Sequence, residues 1–534
     1  MDALNPNIAA RLIERAARHP ERAAIVEYRR GRARRVSFGG LTAQVQALAA
    51  GLRERGLGPG DRVLLFLPMS IDLYTALLAS LHLGATVVFV DAWADRRRLD
   101  AAVAAAGPRA FLGTPKAHLL RLVSPAIRRI PFQLAAGQGI WRLGRYASRA
   151  SGTSAAELSP DTPALITLTT GSTGRPKAAA RSHGFLWAQH EALAAHLGLT
   201  ESDVDMPTLP VFVLNNLASG TTSVLPDFDA RRPAEIDPAT IYRQLLAEGV
   251  TTSSGSPAFY QRLAGWCAAT GRKLPLRALF TGGAPVLPPL ARLLAETVTG
   301  EAHVVYGSTE AEPIAGIEVR EMLAAMEEGT TRTNGNRPEG ICVGEPVPQI
   351  ELRLLLPTDA PITPVPAGWS EWQVAPEEVG EVVVTGGHVL SGYLNDPDAE
   401  RLNKIHDGER VWHRTGDAAR LDAEGRLWLM GRVRERVQRD GQIWWGTPAE
   451  VRALEVEGIV HAAYLGLPDA RRGQRAILCV ESSGGSLSAP DQDRLRSALA
   501  PLPVDEVRVL THIPRDPRHA SKTDIEALRR LVAG

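Results

Sequence analysis

The sequence predicts an α/β fold, with layered sheets and helices spread over more than one domain. Three observations carry that prediction. Residues 1–110 alternate helical and strand patterns, as chains do when helices cover a largely parallel sheet. The chain has 534 residues, too many for one ordinary core. An apolar, β-branched run, Leu165-Ile166-Thr167-Leu168, reads as a buried strand that breaks into a loop of glycines and hydroxyls.

In order along the chain, the first 25 residues make an amphipathic helix pattern interrupted by charges, unlike a signal peptide. Gln44 to Arg55 has helical periodicity, and the Gly58-Pro59-Gly60 turn precedes a buried strand from Asp61 to Leu67. Tyr74 to Leu83 is helical again and Ala85 to Val90 is strand. His82 and Gly84 break this apolar stretch too early for a membrane span. Residues 115–156 leave the rhythm. Lys116, Arg121, Arg128, Arg129, Arg142, Arg145 and Arg149 are interleaved there with Leu119, Ile127, Phe132, Ile140, Trp141 and Tyr146. The plainer reading is a solvated face with counter-charges elsewhere in the fold. The competing reading is peripheral contact with an anionic membrane.

The loop Thr169-Thr170-Gly171-Ser172-Thr173-Gly174-Arg175-Pro176-Lys177 offers four hydroxyls, two cations and two glycines, which suits phosphate oxygens. It lacks the Gly-Lys-Ser/Thr spacing of a Walker loop, which disfavours a P-loop kinase or ATPase. Leu209 to Asn216 is apolar and contains Pro210-Val211-Phe212-Val213-Leu214. Strands then run into Gly255-Ser256-Pro257-Ala258-Phe259 and Thr281-Gly282-Gly283-Ala284-Pro285. His303 to Glu310 follows, reading HVVYGSTE, and residues 316–338 read as a polar loop or insertion. Order restarts at Gly340 to Pro346. The Pro-rich run Leu356 to Val365 reads as a hairpin or linker before a strand at Gly380 to Val384. Val411 to Asp417, Gly431 to Glu435, the aromatic loop Gly441 to Gly446 and Ile513 to Asp524 complete the set.

Composition narrows the partners. A formal charge of +1 implies no bulk polyanion partner, so no nucleic acid. Cys267, Cys342 and Cys479 are too scattered for a zinc site or a disulfide framework, which points to a reducing cytoplasm.

Taken together, these separated motifs resemble the adenylate-forming superfamily of acyl-CoA synthetases, peptide-synthetase adenylation domains and luciferases. The resemblance implies a large N-terminal adenylation domain, residues 1–431, and a small mobile C-terminal α+β domain, residues 432–534, hinged at Arg434. It implies ATP as substrate and Mg²⁺ as cofactor. Thr169, Thr170, Gly171, Ser172, Thr173, Gly174 and Lys177 would hold phosphates. Gly282, Gly283, Ala284, Tyr306, Gly307 and Ser308 would form the adenine site, with Asp417 and Arg432 on the ribose. Thr309 would offer a hydroxyl to phosphate, and Glu310 a hard oxygen to the metal. Phe212, Val213, Leu214 and Phe259 would line the acyl pocket, with Val213 standing where many members carry histidine.

Lys522 matches the lysine that the C-terminal motif delivers to the reaction. Ser521 stands before it, where most acyl-CoA synthetases have glycine. That variant, with Gly340 to Pro346 and Val411 to Asp417, is most similar to the branch containing the β-lactone synthetases of long-chain olefin biosynthesis. The implied activity is ATP-dependent conversion of a carboxylic acid, by its apolar pocket a fatty acid, to an acyl-adenylate. Transfer to the thiol of CoA is the leading second step. Internal closure by a β-hydroxyl and transfer to a carrier-protein thiol stay open. Arg472 and Arg475 are candidates for the 3′-phosphate of CoA. Retention of Lys177, Glu310, Asp417 and Lys522 together argues against a non-catalytic relative.

Overall fold

The computed structural model describes residues 5–90, 96–135, 154–170, 176–331, 339–363, 368–516 and 522–533. The predicted α/β alternation is present, with element ends shifted by a few residues. The helix expected from Gln44 spans Phe38–Glu54, because Ser37 caps it by accepting from the Gly40 N–H. The next strand is Arg62–Phe66, the following helix Ile71–His82 and the next strand Thr86–Phe89. That helix is buried on every side, so its sequence is apolar all round without spanning a membrane. Among the described residues no helix is long and apolar enough to cross a membrane.

One six-stranded sheet runs Phe132–Ala135, Ala110–Gly113, Arg62–Phe66, Thr86–Phe89, Pro163–Thr170 and Pro176–Ser182. Its strands are parallel until the last, which returns antiparallel as the second arm of a hairpin. A fourteen-stranded sheet contains a parallel block: Ala23–Arg29, Thr222–Leu225, Val204–Pro207, Thr252–Gly255, Ala278–Gly282 and Glu301–Ser308. From Ala311–Glu318 onward its neighbours are antiparallel. In a parallel block all carboxyl ends lie along one edge, where such sheets receive ligands. The motifs at Gly255, Gly282 and Tyr306 to Ser308 therefore meet at that edge.

Two local expectations change, and a third segment gains an element. Residues 316–338 are not one loop. Strand Ala311–Glu318 runs into helix Val319–Thr331, and residues 332–338 lie outside the described ones. Val319, Met322 and Ala325 are buried and Leu323 and Met326 pack beside them, a helical stripe that the surrounding Glu and Thr residues hide. Leu209 to Asn216 forms the helix Pro210–Ser219 with Pro at its first turn, ending at Gly220 with φ +82. The aromatic stretch Gly441 to Gly446 begins as a hairpin, Val437–Arg439 with Gln442–Trp444, turning at Asp440 and Gly441, both at positive φ. Its Trp445 is buried against Ala418, Met430 and Val433.

In chain order the last strand to join the fourteen-stranded sheet is Leu427–Arg432, between Arg410–Leu421 and Ile341–Pro346. Among the described residues the strands after it pair among themselves, as Val437–Arg439 with Gln442–Trp444 and as Ile459–Asp469, Gly473–Ser482 and Glu506–Leu510. The three cysteines are buried, and burial pushes each thiol up to about 11. Lys116, Arg121, Arg128 and Arg129 are exposed beside exposed Leu119, Leu122 and Val123. Arg142, Arg145 and Arg149 lie outside the described residues.

Candidate active site

Two clusters form at the sheet edge. The first joins Tyr306, Asp417 and Arg432. Tyr306 sits near the end of strand Glu301–Ser308, and its hydroxyl donates to Asp417 Oδ2 at 2.9 Å. Asp417 and Arg432 are register partners on adjacent antiparallel strands, so their side chains share a face. The Arg432 guanidinium donates to Asp417 Oδ1 at 2.5 Å, and the carboxylate holds that guanidinium more firmly protonated. Burial, together with Asp417, pushes the Tyr306 phenol far up, so it acts only as a donor. Asp417 thus has one oxygen on each partner and keeps further lone pairs.

Lys522 belongs to this end of the molecule. The segment before it folds back on itself. Asp516 N–H donates to the Lys522 carbonyl at 2.8 Å, and Arg515 bridges to Thr523. Lys522 is exposed. Burial raises the Glu435 carboxyl, and Arg432, Arg529 and Lys522 pull it back down. Lys522 therefore shares an electrostatic neighbourhood with the Asp417–Arg432 pair. Arg518, His519, Ala520 and Ser521 lie outside the described residues.

The second cluster surrounds Glu310. Strand Pro176–Ser182 is stapled to the turn after Ser308 by residues 389–394. Leu394 N–H donates to the Ala178 carbonyl at 2.8 Å, and Leu390 N–H to the Glu310 carbonyl at 2.7 Å. Ala179 bridges to Tyr393 and Ala311 to Val389. These links bring Lys177, 5% exposed, beside Tyr393, whose hydroxyl donates to Glu310 Oε1 at 3.2 Å. Arg181, four residues on and so on the same face of the strand as Lys177, donates to the Thr309 carbonyl at 2.7 Å. Burial pulls the Lys177 ammonium down while Glu310 supports it. Burial likewise raises Glu312 to about 7, against the opposing pull of Arg181. Among the described residues no three His, Cys, Asp or Glu side chains converge as a metal cage. Glu310 could hold a Mg²⁺ ion together with phosphate oxygens, which suits that ion's preference for few protein ligands.

Of the loop, Thr169 and Thr170 end strand Pro163–Thr170, while Gly171, Ser172, Thr173 and Gly174 lie outside the described residues. Gly282 closes strand Ala278–Gly282, and a Cβ there would stand 2.3 Å from the Val305 carbonyl oxygen. Close strand packing thus demands this glycine whatever binds above it. Gly283 follows at φ +80, then Ala284. Gly307 and Ser308 end their strand, and the Ser308 hydroxyl accepts from Glu310 N–H at 3.2 Å.

The four acyl-pocket residues do not come together. Phe212 packs with Leu193, Leu197, Phe280 and Val305. Phe259 packs with Leu279 and Val304, whose side chains alternate to the other face of the same strands. Val213 lies in a third cluster with Leu217, and Leu214 packs at its edge. A turn of helix sends neighbouring residues in different directions, which a short apolar run cannot reveal. Arg472 is engaged by Asp505 at 3.2 Å and Arg475 by Glu506 at 3.3 Å. Arg434 lies in the short 3₁₀ turn Val433–Glu435. Sequence reasoning missed Arg181, Tyr393, Lys404 and Glu435. Arg181, Tyr393 and Lys404 meet Thr309, Glu310 and Lys177 from far along the chain, as Glu435 meets Lys522, so no spacing signals these pairings.

Comparison with known proteins places this geometry. The AMP-binding enzyme family matches residues 12–394. An olefin β-lactone synthetase of Stenotrophomonas maltophilia (strain K279a) is 35% identical over 98% of this chain and 97% of its own. A feruloyl-CoA synthase of Amycolatopsis sp is 28% identical over 84% of each chain. The structure of ATP-bound MatB from Rhodopseudomonas palustris superimposes with a TM-score of 0.80 at 23% identity, over 99% of both chains.

Proposed function

Because the chain belongs to the AMP-binding enzyme family, we propose that it joins a β-hydroxy fatty acid to the α-phosphate of ATP and then closes the acyl-adenylate to a β-lactone. The observation that supports the first step is that Lys522, Arg432 and Asp417 all act on one carboxyl, that of Glu435, while Asp417 is held by Tyr306 and Arg432. A carboxylate and a phosphate approaching to 4 Å repel by on the order of 4 kcal/mol at an effective dielectric near 20. A lysine between them reverses that sign. The carboxylate oxygen attacks the α-phosphorus, the bond to the bridging oxygen breaks, and pyrophosphate leaves.

In this reading Asp417 and Arg432 fix the ribose, and Tyr306, Gly282, Gly283 and Ala284 bound the adenine. Thr169 to Gly174 and Lys177 hold the β- and γ-phosphates, with Thr309 beside them. Glu310 would hold a Mg²⁺ ion, which supplies charge neutralisation at the phosphates when bound. The acyl chain lies on the Phe212 side of the sheet, where Phe280 stacks on His303 with ring centroids 5.1 Å apart. Residues 432–534 move as a unit about Arg434 between the two steps.

For the second step, identity to the β-lactone synthetase of S. maltophilia over nearly the whole chain supports internal attack. The substrate's β-hydroxyl oxygen bonds to the acyl carbon, AMP leaves, and the hydroxyl proton passes to solvent. This reverses the order expected from sequence, where CoA came first. Transfer to CoA is the second reading, favoured by the likeness to a feruloyl-CoA synthase. The pairing of Arg472 and Arg475 with acidic neighbours weighs against it. The test is product analysis with ATP and a β-hydroxy fatty acid, with and without CoA. Lactone formed without CoA supports the first reading; a thioester formed only with CoA replaces it with the second.

A further inference from the structure

Lys404 begins strand Lys404–Asp407, and it is 3% exposed. Its ammonium lies 5.3 Å from the centroid of the Tyr393 ring, and that of Lys177 lies 5.2 Å from the same ring. Lys404 Nζ donates to the Leu390 carbonyl, and Leu390 N–H in turn donates to the Glu310 carbonyl. Two buried ammoniums thus share one aromatic ring, and Glu310, to which the Tyr393 hydroxyl donates, is the carboxylate that supports both, with Asp396 acting on Lys177 as well. Glu400 also supports Lys404, but its own oxygens serve Tyr393 N–H at 3.0 Å and His406 at 3.3 Å.

Burial and the neighbouring Lys177 hold the Lys404 ammonium down at about 7, with Glu310 and Glu400 opposing them. His413, the register partner of Lys404, is buried and kept neutral by burial and by Lys404 itself. Buried like charges repel and lose hydration, so two ammoniums with one carboxylate in common gain from an anion that reaches both. A polyphosphate between the two lysines would satisfy both.

We propose that Lys177 and Lys404, closed over by Tyr393, form a two-lysine pocket for a pyrophosphate group, whether as the β,γ end of ATP or as the free leaving product. This deepens the adenylation reading and rests on it for the orientation of the nucleotide. Lys177 belongs to the phosphate loop that the sequence already marks. Lys404 comes from a strand more than two hundred residues later, and it gives the pocket its second cation. The pocket grips the part of the nucleotide that departs and makes no contact with the part that stays. Lys404 therefore governs affinity for ATP and pyrophosphate, while AMP is held by Asp417 and Arg432.

The experiment is calorimetric titration of the full chain, in buffer containing Mg²⁺, with ATP, inorganic pyrophosphate and AMP in separate arms. For Lys404→Met, the Kd for pyrophosphate and for ATP rises about tenfold or more, while that for AMP stays within about twofold. Should the methionine variant fold poorly, Lys404→Gln keeps a donor for the Leu390 carbonyl and is read the same way. A pyrophosphate Kd unchanged in the variant overturns the proposal. So does an equal loss for AMP, which would make Lys404 a merely structural residue. The ATP and pyrophosphate arms separate the two sources of the ligand. If the parent protein never exchanges pyrophosphate into ATP with any acid, yet its pyrophosphate affinity depends on Lys404, the adenylation reading fails and the pocket stands. If exchange is normal and Lys404→Met binds pyrophosphate as the parent does, the pocket fails alone.

Discussion

Replacement of Asp417 by Asn isolates the charge at the centre of the ribose cluster while keeping its shape. In the structure one carboxylate oxygen accepts from Tyr306 at 2.9 Å and the other from Arg432 at 2.5 Å. The Arg432 side chain is half exposed, so the ion pair by itself contributes at most about 1 kcal/mol. The larger effect concerns the nucleotide. A charged acceptor for ribose hydroxyls becomes a neutral amide, at about 1–3 kcal/mol, or roughly ten- to a hundredfold in the Kd for AMP and ATP. Arg432→Gln would cost less alone, because Asp417 remains fixed by Tyr306. The two substitutions together should fall short of their sum by about 0.5–1 kcal/mol, since residues in direct contact are not independent. Calorimetric Kd values for AMP across the four proteins provide the cycle, with melting curves to show that all are folded. An unaltered Kd in Asp417→Asn, or strict additivity across the cycle, would refute the assignment of this pair to the nucleotide.

Lys522→Ala should retain ATP affinity yet lose pyrophosphate exchange by roughly a thousandfold, the equivalent of the ~4 kcal/mol repulsion it is placed to relieve; normal exchange would end that role. Gly282→Ala places a methyl 2.3 Å from the Val305 carbonyl oxygen, so thermal melts should show a loss of about 1–3 kcal/mol even without nucleotide. Burial raises the Glu450 carboxyl to about 7 from 4.5. The folded state therefore binds more protons than the unfolded one between those values, and stability falls as pH rises through that window. Relative to the parent, Glu450→Gln should gain on the order of 3 kcal/mol at pH 8 and almost nothing at pH 4. Urea denaturation at the two pH values would detect this, and an equal offset at both would contradict it.

Much of this was legible before any coordinates. Gly58-Pro59-Gly60 and the apolar run at Leu165 announce their elements locally, because turns and buried strands depend on neighbours a few residues away. Tyr306, Glu310, Asp417, Arg432 and Lys522 stood out as chemical types in recognisable settings. The helix Val319–Thr331 was obscured because its buried stripe is narrow and the residues around it are polar.

What the amino-acid order determined by itself is the α/β class, the neighbourhood of several strand-to-loop transitions and a set of groups able to handle a nucleotide. Tertiary structure alone decided which of these groups meet. Phe212 and Phe259 were separated because adjacent strand residues face opposite sides of a sheet. Lys177 and Lys404 were brought to one ring because the chain between 389 and 394 pairs with strand Pro176–Ser182. Local pattern records the period of a segment. Contact between distant segments depends on register and crossing, which no window of neighbouring residues contains.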